Sequence, residues 1–467
     1  MHKPSLDGPP QVELEGFGPV DLYQRREKII TRHVDGVFQK LRFYTGWPLL
    51  LGYFVTPWLT WGDRQMVLFD LPARQFHILG LTFWPQDLWL LGWLLMIGAF
   101  ALFTVTTIVG RLWCGYTCPQ TVWTAIYMWV EQFAEGSRHQ RMRLETAAWS
   151  LEKLRKRTLK HGMWLGVAAL TGLTFVGYFT PIRELAWQLL TVDTAALSGW
   201  AVFWVVFFTA ATYVNAGWMR EQVCIYMCPY ARFQSAMIDR DTLIVSYDDQ
   251  RGEPRSSRKR GTASVAGDCI DCQLCVQVCP TGIDIRDGLQ YQCIGCAHCI
   301  DACNQVMDKM GSPRDLISYT TLNALEGGPV RWLRPRSIGY AAVVVTLVVA
   351  FLFAVTMRAP MAFDVLRDRG ALYNKLPDGR IANDYQLKVM NKGQQDARFQ
   401  LNVLAPAWVH IATAASFELA PGEVRNLPLV LTANPEDARN DTVRLAVCRD
   451  KRCVEEVTPF IAPGAGS

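Results

Sequence analysis

The chain has 467 residues, half of them hydrophobic, with 17 Trp, 14 Cys and a formal net charge of +5. That length allows two or three structural units, and the composition mixes long apolar runs with polar stretches, as in a membrane protein with soluble parts. A nucleic-acid binder is excluded, because the Lys and Arg clusters flank apolar segments as topology determinants and form no stripe interleaved with aromatics.

Residues 1–42 read as a polar N-terminal tail. With Asp7, Glu13, Glu15 and Asp21 it has no early apolar core, so no cleavable signal peptide is expected. Five segments are long and apolar enough to be read as membrane-spanning helices: residues 43–61, 87–109, 162–180, 199–219 and 337–357. Pro48 and Pro57 predict a kink or displacement in the first. The first four belong to a membrane region over residues 43–240.

Basic residues crowd the tail (Arg25, Arg26, Lys28, Arg32, Lys40, Arg42) and the loop after the second span (Arg138 to Lys160). The loop between the first two spans has only Arg64 and Arg74, and the loop before the fourth has only Arg183. This asymmetry predicts a multi-pass bacterial inner-membrane protein. The N-terminus would lie in the cytoplasm and the C-terminal region in the periplasm.

The membrane region carries a repeat. Cys114-Gly115-Tyr116-Thr117-Cys118-Pro119 follows the second span, and Cys224-Ile225-Tyr226-Met227-Cys228-Pro229 follows the fourth. The copies share C-x-Y-x-C-P at an offset of 110 residues, with Trp123 or Phe233 after each. Cysteines four apart share a face if the turn between them is helical, and each Pro suits the first turn of a new helix. Such thiolates favour Cu(I) over harder cations, or could cycle as a dithiol and disulfide. Buried apolar cysteines before helix-ending prolines, or a further iron-based cofactor, are the other readings.

Residues 241–262 read as a basic linker ending in Arg258-Lys259-Arg260-Gly261. Over residues 263–315 come eight cysteines in two runs of C-x2-C-x2-C-x3-C, the second a repeat of the first. Bacterial ferredoxins hold a pair of [4Fe–4S] clusters with this spacing, and the fourth ligand of each run crosses to the other cluster. One cluster would take Cys269, Cys272, Cys275 and Cys303, and the other Cys293, Cys296, Cys299 and Cys279. Structural zinc wants four ligands in C-x2-C pairs, which eight ligands in this pattern fit poorly. His298, inside the second run, reads as a solvated loop residue that tunes the cluster without ligating it.

Beyond the fifth span the pattern changes. Tyr385–Val389, Arg398–Val403 and Val443–Val447 alternate as half-buried strands do, between turn signals such as Pro377-Asp378-Gly379. Residues 358–467 therefore read as an antiparallel sandwich of immunoglobulin type. An oxidising compartment makes a local disulfide the default for Cys448 and Cys453, which flank the turn Arg449-Asp450-Lys451-Arg452. The fold class expected is a polytopic α-helical membrane protein with five transmembrane helices, a cytoplasmic two-cluster ferredoxin insert and a C-terminal all-β domain.

The paired C-x3-C-P motifs, the ferredoxin insert, the fifth span and the β-rich outer domain together resemble the cytochrome c oxidase accessory family CcoG, also called FixG or RdxA. The motif combination is shared with NapH-like and NosR-like membrane ferredoxins, and the outer domain favours the CcoG branch. The resemblance implies a cupric reductase that supports assembly of a cbb-type haem–copper oxidase. It carries the copper-handling role onto Cys114, Cys118, Cys224 and Cys228, and cluster ligation onto the eight cysteines above. The expected cofactors are two [4Fe–4S] clusters, with copper as substrate. Expected partners are the membrane and a copper chaperone or oxidase assembly factors, with a homodimer carried as the guess for oligomeric state. The electron donor is unassigned, since neither G-x-G-x-x-G nor a haem-attachment C-x2-C-H occurs. The rival readings are a quinol-linked electron relay of the NapH/NosR type and a non-enzymatic assembly scaffold.

Overall fold

The computed structural model describes residues 29–463 apart from 63, 194, 258–266, 360, 369, 394 and 451, together with the short strands Val12–Leu14 and Phe17–Val20. Asp7, Glu15, Asp21, Arg25, Arg26 and Lys28 of the tail, the Arg258–Gly261 stretch and Lys451 lie outside the described residues. The chain divides into two units. One comprises residues 1–58 and 94–347, and the other residues 59–93 and 348–467.

The helices come in chain order. Helix α1 is Val37–Val55, α2 Leu88–Val109, α3 Leu112–Tyr116, α4 Pro119–Glu135 and α5 Arg138–Thr146. Then follow α6 (Leu151–Val176), α7 (Ile182–Thr191), α8 (Gly199–Thr212) and α9 (Pro229–Met237). The remainder are α10 (Asp249–Gly252), α11 (Leu274–Gln277), α12 (His298–Met310), α13 (Leu322–Leu325) and α14 (Pro335–Thr356).

Helices form at all five expected positions. Among the described residues three helices, over Pro85–Val109, Gly199–Met219 and Pro335–Thr356, are long and apolar enough to cross a membrane. They leave apolar side chains such as Leu95, Phe207 and Phe353 exposed, which water would penalise and lipid would not. Helix α1 departs from its expected bounds. It starts six residues early, taking Lys40 and Arg42 out of the tail, keeps Pro48 inside, and gives way after Val55 to a single 3₁₀ turn, Thr56–Trp58, that contains Pro57. Thr60–Trp61 then pairs with Arg64–Gln65 as strands instead of extending the helix. The basic stretch 138–160 is largely helical, filling α5 and the first ten residues of α6.

Ion pairs between buried side chains join these helices. Glu131 of α4 pairs with Arg220 at 2.8 Å and Arg141 of α5 at 3.3 Å, and Glu135 pairs with Lys160 of α6 at 2.7 Å. All five side chains are buried, so each charge depends on its partner.

The repeat is visible in the backbone. Gly110 and Arg220, 110 residues apart, both take positive φ (58° and 41°), and each precedes its copy of the cysteine motif. Each Pro opens a helix as expected: Cys118 caps α4 with Pro119 in its first turn, and Cys228 caps α9 with Pro229 likewise. The copies differ in one respect. The stretches Tyr213–Met219 and Val223–Met227 are π-helical, a widened turn that is rare and concentrates at functional sites.

The region expected as linker is partly structural. Ile244–Tyr247 pairs antiparallel with Ile317–Thr320, so the ferredoxin unit closes on a strand pair outside the 263–315 bounds. Val245, Tyr247 and Ile317 are buried in its core, which explains why this stretch cannot be a solvated linker.

In the second unit the expected strands extend to Ile381–Asn391, Ala397–Ala405 and Asp441–Arg449. Two antiparallel sheets face each other, one of five strands and one of four. Val389, Phe399, Leu431, Val443 and Val447 lie fully buried between them, the alternating inward residues of an immunoglobulin-like sandwich. A disulfide joins Cys448 to Cys453 across the Asp441–Arg449 and Arg452–Phe460 strands. The same unit contains the small sheet Val67–Asp70, Gln75–Ile78, Leu81–Phe83, and buried Asp87, which pairs with Arg358 and with Lys392 at 3.3 Å.

Candidate iron–sulfur and thiol site

The two cysteine runs fold as matched loops. In the first, Asp271 and Gln273 take left-handed φ of 52° and 54°; in the second, Gly295 and Ala297 take 65° and 59°. These are the same two positions of each run, so the chain twice accepts a conformation unusual for side chains other than glycine. Such strain persists only where surrounding structure demands it, as in a loop wrapped around a cofactor.

Each loop closes on a small thiol-lined cavity. Cys269, Cys272, Cys275 and Cys303 line one, with Met307, Leu316 and Ile317 behind them. Cys279, Cys293, Cys296 and Cys299 line the other, which Cys275 also touches. The crossover comes from α12, where Cys299 and Cys303 are one turn apart and serve different cavities. Among the described residues no three His, Cys, Asp or Glu groups converge on a single metal-ion position. Sulfurs spread around a cavity suit a multi-iron cluster, in which each ligand takes a different iron. Burial pushes the Cys275, Cys293 and Cys303 thiols up to about 12, so loading the cavities releases protons. Arg286, held by Asp271 and Asp284 at 2.6 Å each, brings positive charge to the first cavity.

The C-x3-C-P cysteines come together from the two copies. Burial, followed by the neighbouring Cys118 sulfur, pushes Cys114 up to about 11. Burial, followed by the Cys118, Cys114 and Cys228 sulfurs, pushes Cys224 up to about 12. The four sulfurs therefore share one electrostatic neighbourhood, without forming a finished coordination sphere. Cys114 donates to Oε1 of the fully buried Gln234 at 3.2 Å. The copies interlock. Gln120 donates to the backbone oxygens of Asn215 and Arg220 (3.0 and 3.1 Å), and Arg111 donates to that of Ala231 at 2.6 Å.

The first motif also rests directly on the second cysteine loop. A Cβ placed on Gly115 would lie 2.7 Å from the Gly295 oxygen and 3.0 Å from the Ile294 oxygen, so only glycine permits this approach. Three side chains hold the contact. Arg42 Nε donates to the Gly115 oxygen at 2.8 Å, Tyr319 to the Gly295 oxygen at 2.6 Å, and Arg111 to the Tyr291 and Cys293 oxygens at 2.6 and 3.2 Å.

Three family models and two relatives match this arrangement. A model described as "4Fe-4S dicluster domain" matches residues 219–322, and one described as "4Fe-4S binding domain" matches 91–134. A third, the "IG-like fold at C-terminal of FixG", matches 351–463. The chain is 40% identical to Nitrogen fixation protein FixG of Rhizobium meliloti over 423 residues, covering 82% of this chain and 80% of that protein. It is 41% identical to Protein RdxA of Cereibacter sphaeroides over 397 residues, covering 82% and 83% of the two chains. The chain belongs to the FixG/RdxA family. It is accordingly a membrane-associated iron–sulfur protein of electron transfer, as the sequence analysis expected.

Within this FixG/RdxA chain one expectation needs correction. His298 is not solvated. It is buried between Gln39, whose Oε1 is 2.6 Å from Nε2, and Arg42. Burial and the Arg42 charge hold its imidazole well below the usual histidine range. Sequence reasoning also passed over Asp301, whose carboxylate accepts from the backbone N–H of Phe38 and Gln39 at 3.2 and 2.8 Å and so anchors the start of α1. No local signal marks Asp301, because its partners lie more than 260 residues away.

Proposed function

We propose that this protein reduces Cu(II) to Cu(I) for assembly of a cbb-type haem–copper oxidase. Cys269, Cys272, Cys275 and Cys303 would hold one [4Fe–4S] cluster, and Cys293, Cys296, Cys299 and Cys279 the other. When bound, the clusters supply one-electron carriers. The observation that carries the reading is the Gly115–Gly295 contact, which sets the first C-x3-C-P motif against the loop of Cys293 and Cys296. Cys114, Cys118, Cys224 and Cys228 would take copper as substrate, since thiolates favour the soft Cu(I) product. The raised thiols of Cys114 and Cys224 mean that copper must displace protons to bind there. Closing two or more sulfurs on the ion would complete its coordination.

In this reading α1 and α6 join the three apolar helices as five spans of the bacterial inner membrane. The ferredoxin unit is cytoplasmic and the sandwich periplasmic, where its disulfide suits an oxidising compartment. The sandwich would dock a copper chaperone or an oxidase assembly factor. A second reading is favoured by the 4Fe-4S family model over residues 91–134, whose only cysteines are Cys114 and Cys118: the four motif cysteines hold further iron.

The test is anaerobic Cu(II) reduction by dithionite-reduced protein in detergent, with Cu(I) trapped by a chromogenic chelator. Wild type is compared with Cys114→Ala/Cys228→Ala, and iron and sulfide are counted in both. Loss of turnover with eight irons retained supports the copper site. Equal turnover refutes it, and loss of iron beyond eight in the variant supports the second reading.

A further inference from the structure

The donor of electrons has no sequence motif, yet the first unit contains a place for one. A half-open cavity of about 230 Å³ lies beside the second cysteine loop. Leu112, Ile238, Leu243, Leu289 and Leu322 give it a mainly apolar wall. A cavity of about 150 Å³ accommodates a benzene ring, so this one has room for a substituted ring. Its wall also includes Val109, the last residue of α2, one of the three helices apolar enough to cross a membrane. A ligand dissolved in lipid could therefore reach it from the end of that helix.

Two features point to redox chemistry. Cys293, assigned above to the second cluster, lines the cavity itself. Beside it stand the Tyr291 ring and the Arg111 guanidinium, stacked at 5.0 Å, two flat groups in the lining of the cavity. The Ser235 hydroxyl donates to the Arg232 carbonyl and the Gln290 amide to that of Asp284, so both keep oxygen lone pairs that can accept from the O–H groups of a quinol.

We propose that this cavity binds the head group of a membrane quinol, and that the quinol is the electron donor on the Cys293 side of the protein. The inference rests on the iron–sulfur assignment above and is independent of copper as acceptor. In the step, both O–H bonds of the quinol break, giving the quinone, two electrons and two protons. The electrons leave one at a time to the two one-electron carriers, and the protons pass to water at the open mouth. Quinol here is only the source of electrons, and the identity of the acceptor rests on the separate copper reading.

The test uses full-length protein with both clusters, in detergent, and decylubiquinol as the probe. Saturating decylubiquinol, which cannot take electrons from the clusters, should alter the EPR spectrum of one dithionite-reduced cluster, and anaerobic decylubiquinol alone should bleach the absorbance of the oxidised clusters. Leu289→Trp and Ser235→Trp each fill the cavity from a different side. Both should slow quinol-driven bleaching about tenfold or more while Cu(II) reduction by protein pre-reduced with dithionite and freed of it continues. An unchanged EPR spectrum in the wild type overturns the inference whatever the variants do. So does quinol-driven bleaching as fast in both variants as in the wild type. Copper reduction by protein pre-reduced with dithionite and freed of it, but not by protein given quinol, would sink the quinol site alone; quinol bleaching without copper reduction would sink the copper reading alone.

Discussion

Replacing Gly115 by Ala tests the contact between the thiol motif and the second cysteine loop. Within a helix such as α3, Ala is ordinarily favoured over Gly by about 1 kcal/mol. Here the new Cβ would meet the Gly295 oxygen at 2.7 Å, its carbon at 3.0 Å and the Ile294 oxygen at 3.0 Å. A carbon–oxygen contact normally settles at about 3.3 Å or more, so the two loops must part by roughly 0.6 Å. Neither side can swing away. These are backbone atoms, and Gly295 is tied to Tyr319 between two cluster cysteines. Overpacking of this kind costs about 1–3 kcal/mol, which outweighs the helix gain and leaves a net loss of up to about 2 kcal/mol. Gly166→Ala is the control, because a Cβ there meets nothing within 4 Å. Thermal unfolding in detergent, followed by cluster absorbance, should show a lower midpoint for Gly115→Ala and none for Gly166→Ala. Copper reduction should slow in the first variant with its iron content intact. Equal midpoints and equal rates for Gly115→Ala and wild type would refute the argument that this contact matters.

Copper affinity should rise with pH, because thiols pushed up to about 11 and 12 at Cys114 and Cys224 are protonated near neutrality and become ligands only on losing the proton. If two thiols bind each ion, competition titration should give about a hundredfold tighter binding per pH unit below those values; a flat profile would mean that the thiols are not ligands. Glu131→Ala leaves Arg220 and Arg141 as buried charges without their carboxylate, at a cost of about 3–5 kcal/mol. A large drop in thermal midpoint is expected, whereas Lys156→Ala, which breaks an exposed pair at 2.6 Å, should change little. Cys448→Ser/Cys453→Ser opens a short loop worth roughly 2 kcal/mol by chain entropy, so proteolysis of the sandwich should quicken while cluster content is unchanged.

The parts legible in sequence are those whose chemistry is local. Cysteine spacing alone grouped the eight thiols as the two cavities group them, because a tight loop leaves few ways to present three sulfurs to one centre. Period-two alternation found the sandwich strands, since each buries one face. Prolines after Cys118 and Cys228 marked two helix starts. What escaped depends on distant partners. Ile244–Tyr247 looks like linker until Ile317–Thr320 pairs with it. Arg42 looks like a topology charge, yet it is buried against Gly115 and His298. Glu131 and Glu135 of α4 carry no sequence signal of burial, because the Arg141, Lys160 and Arg220 that neutralise them come from other elements of the helix packing. The small sheet over residues 67–83 was missed because its strands are only three or four residues long.

The most direct measurement mixes fully reduced protein with excess Cu(II) and freezes the reaction at successive times for EPR. Reduced-cluster signals should disappear as the Cu(II) signal falls by two ions per protein, giving two Cu(I) per protein in a single turnover. In Cys114→Ala/Cys228→Ala the cluster signals should persist on the same timescale. Clusters that lose their electrons to copper equally fast in that variant would contradict transfer through the C-x3-C-P site.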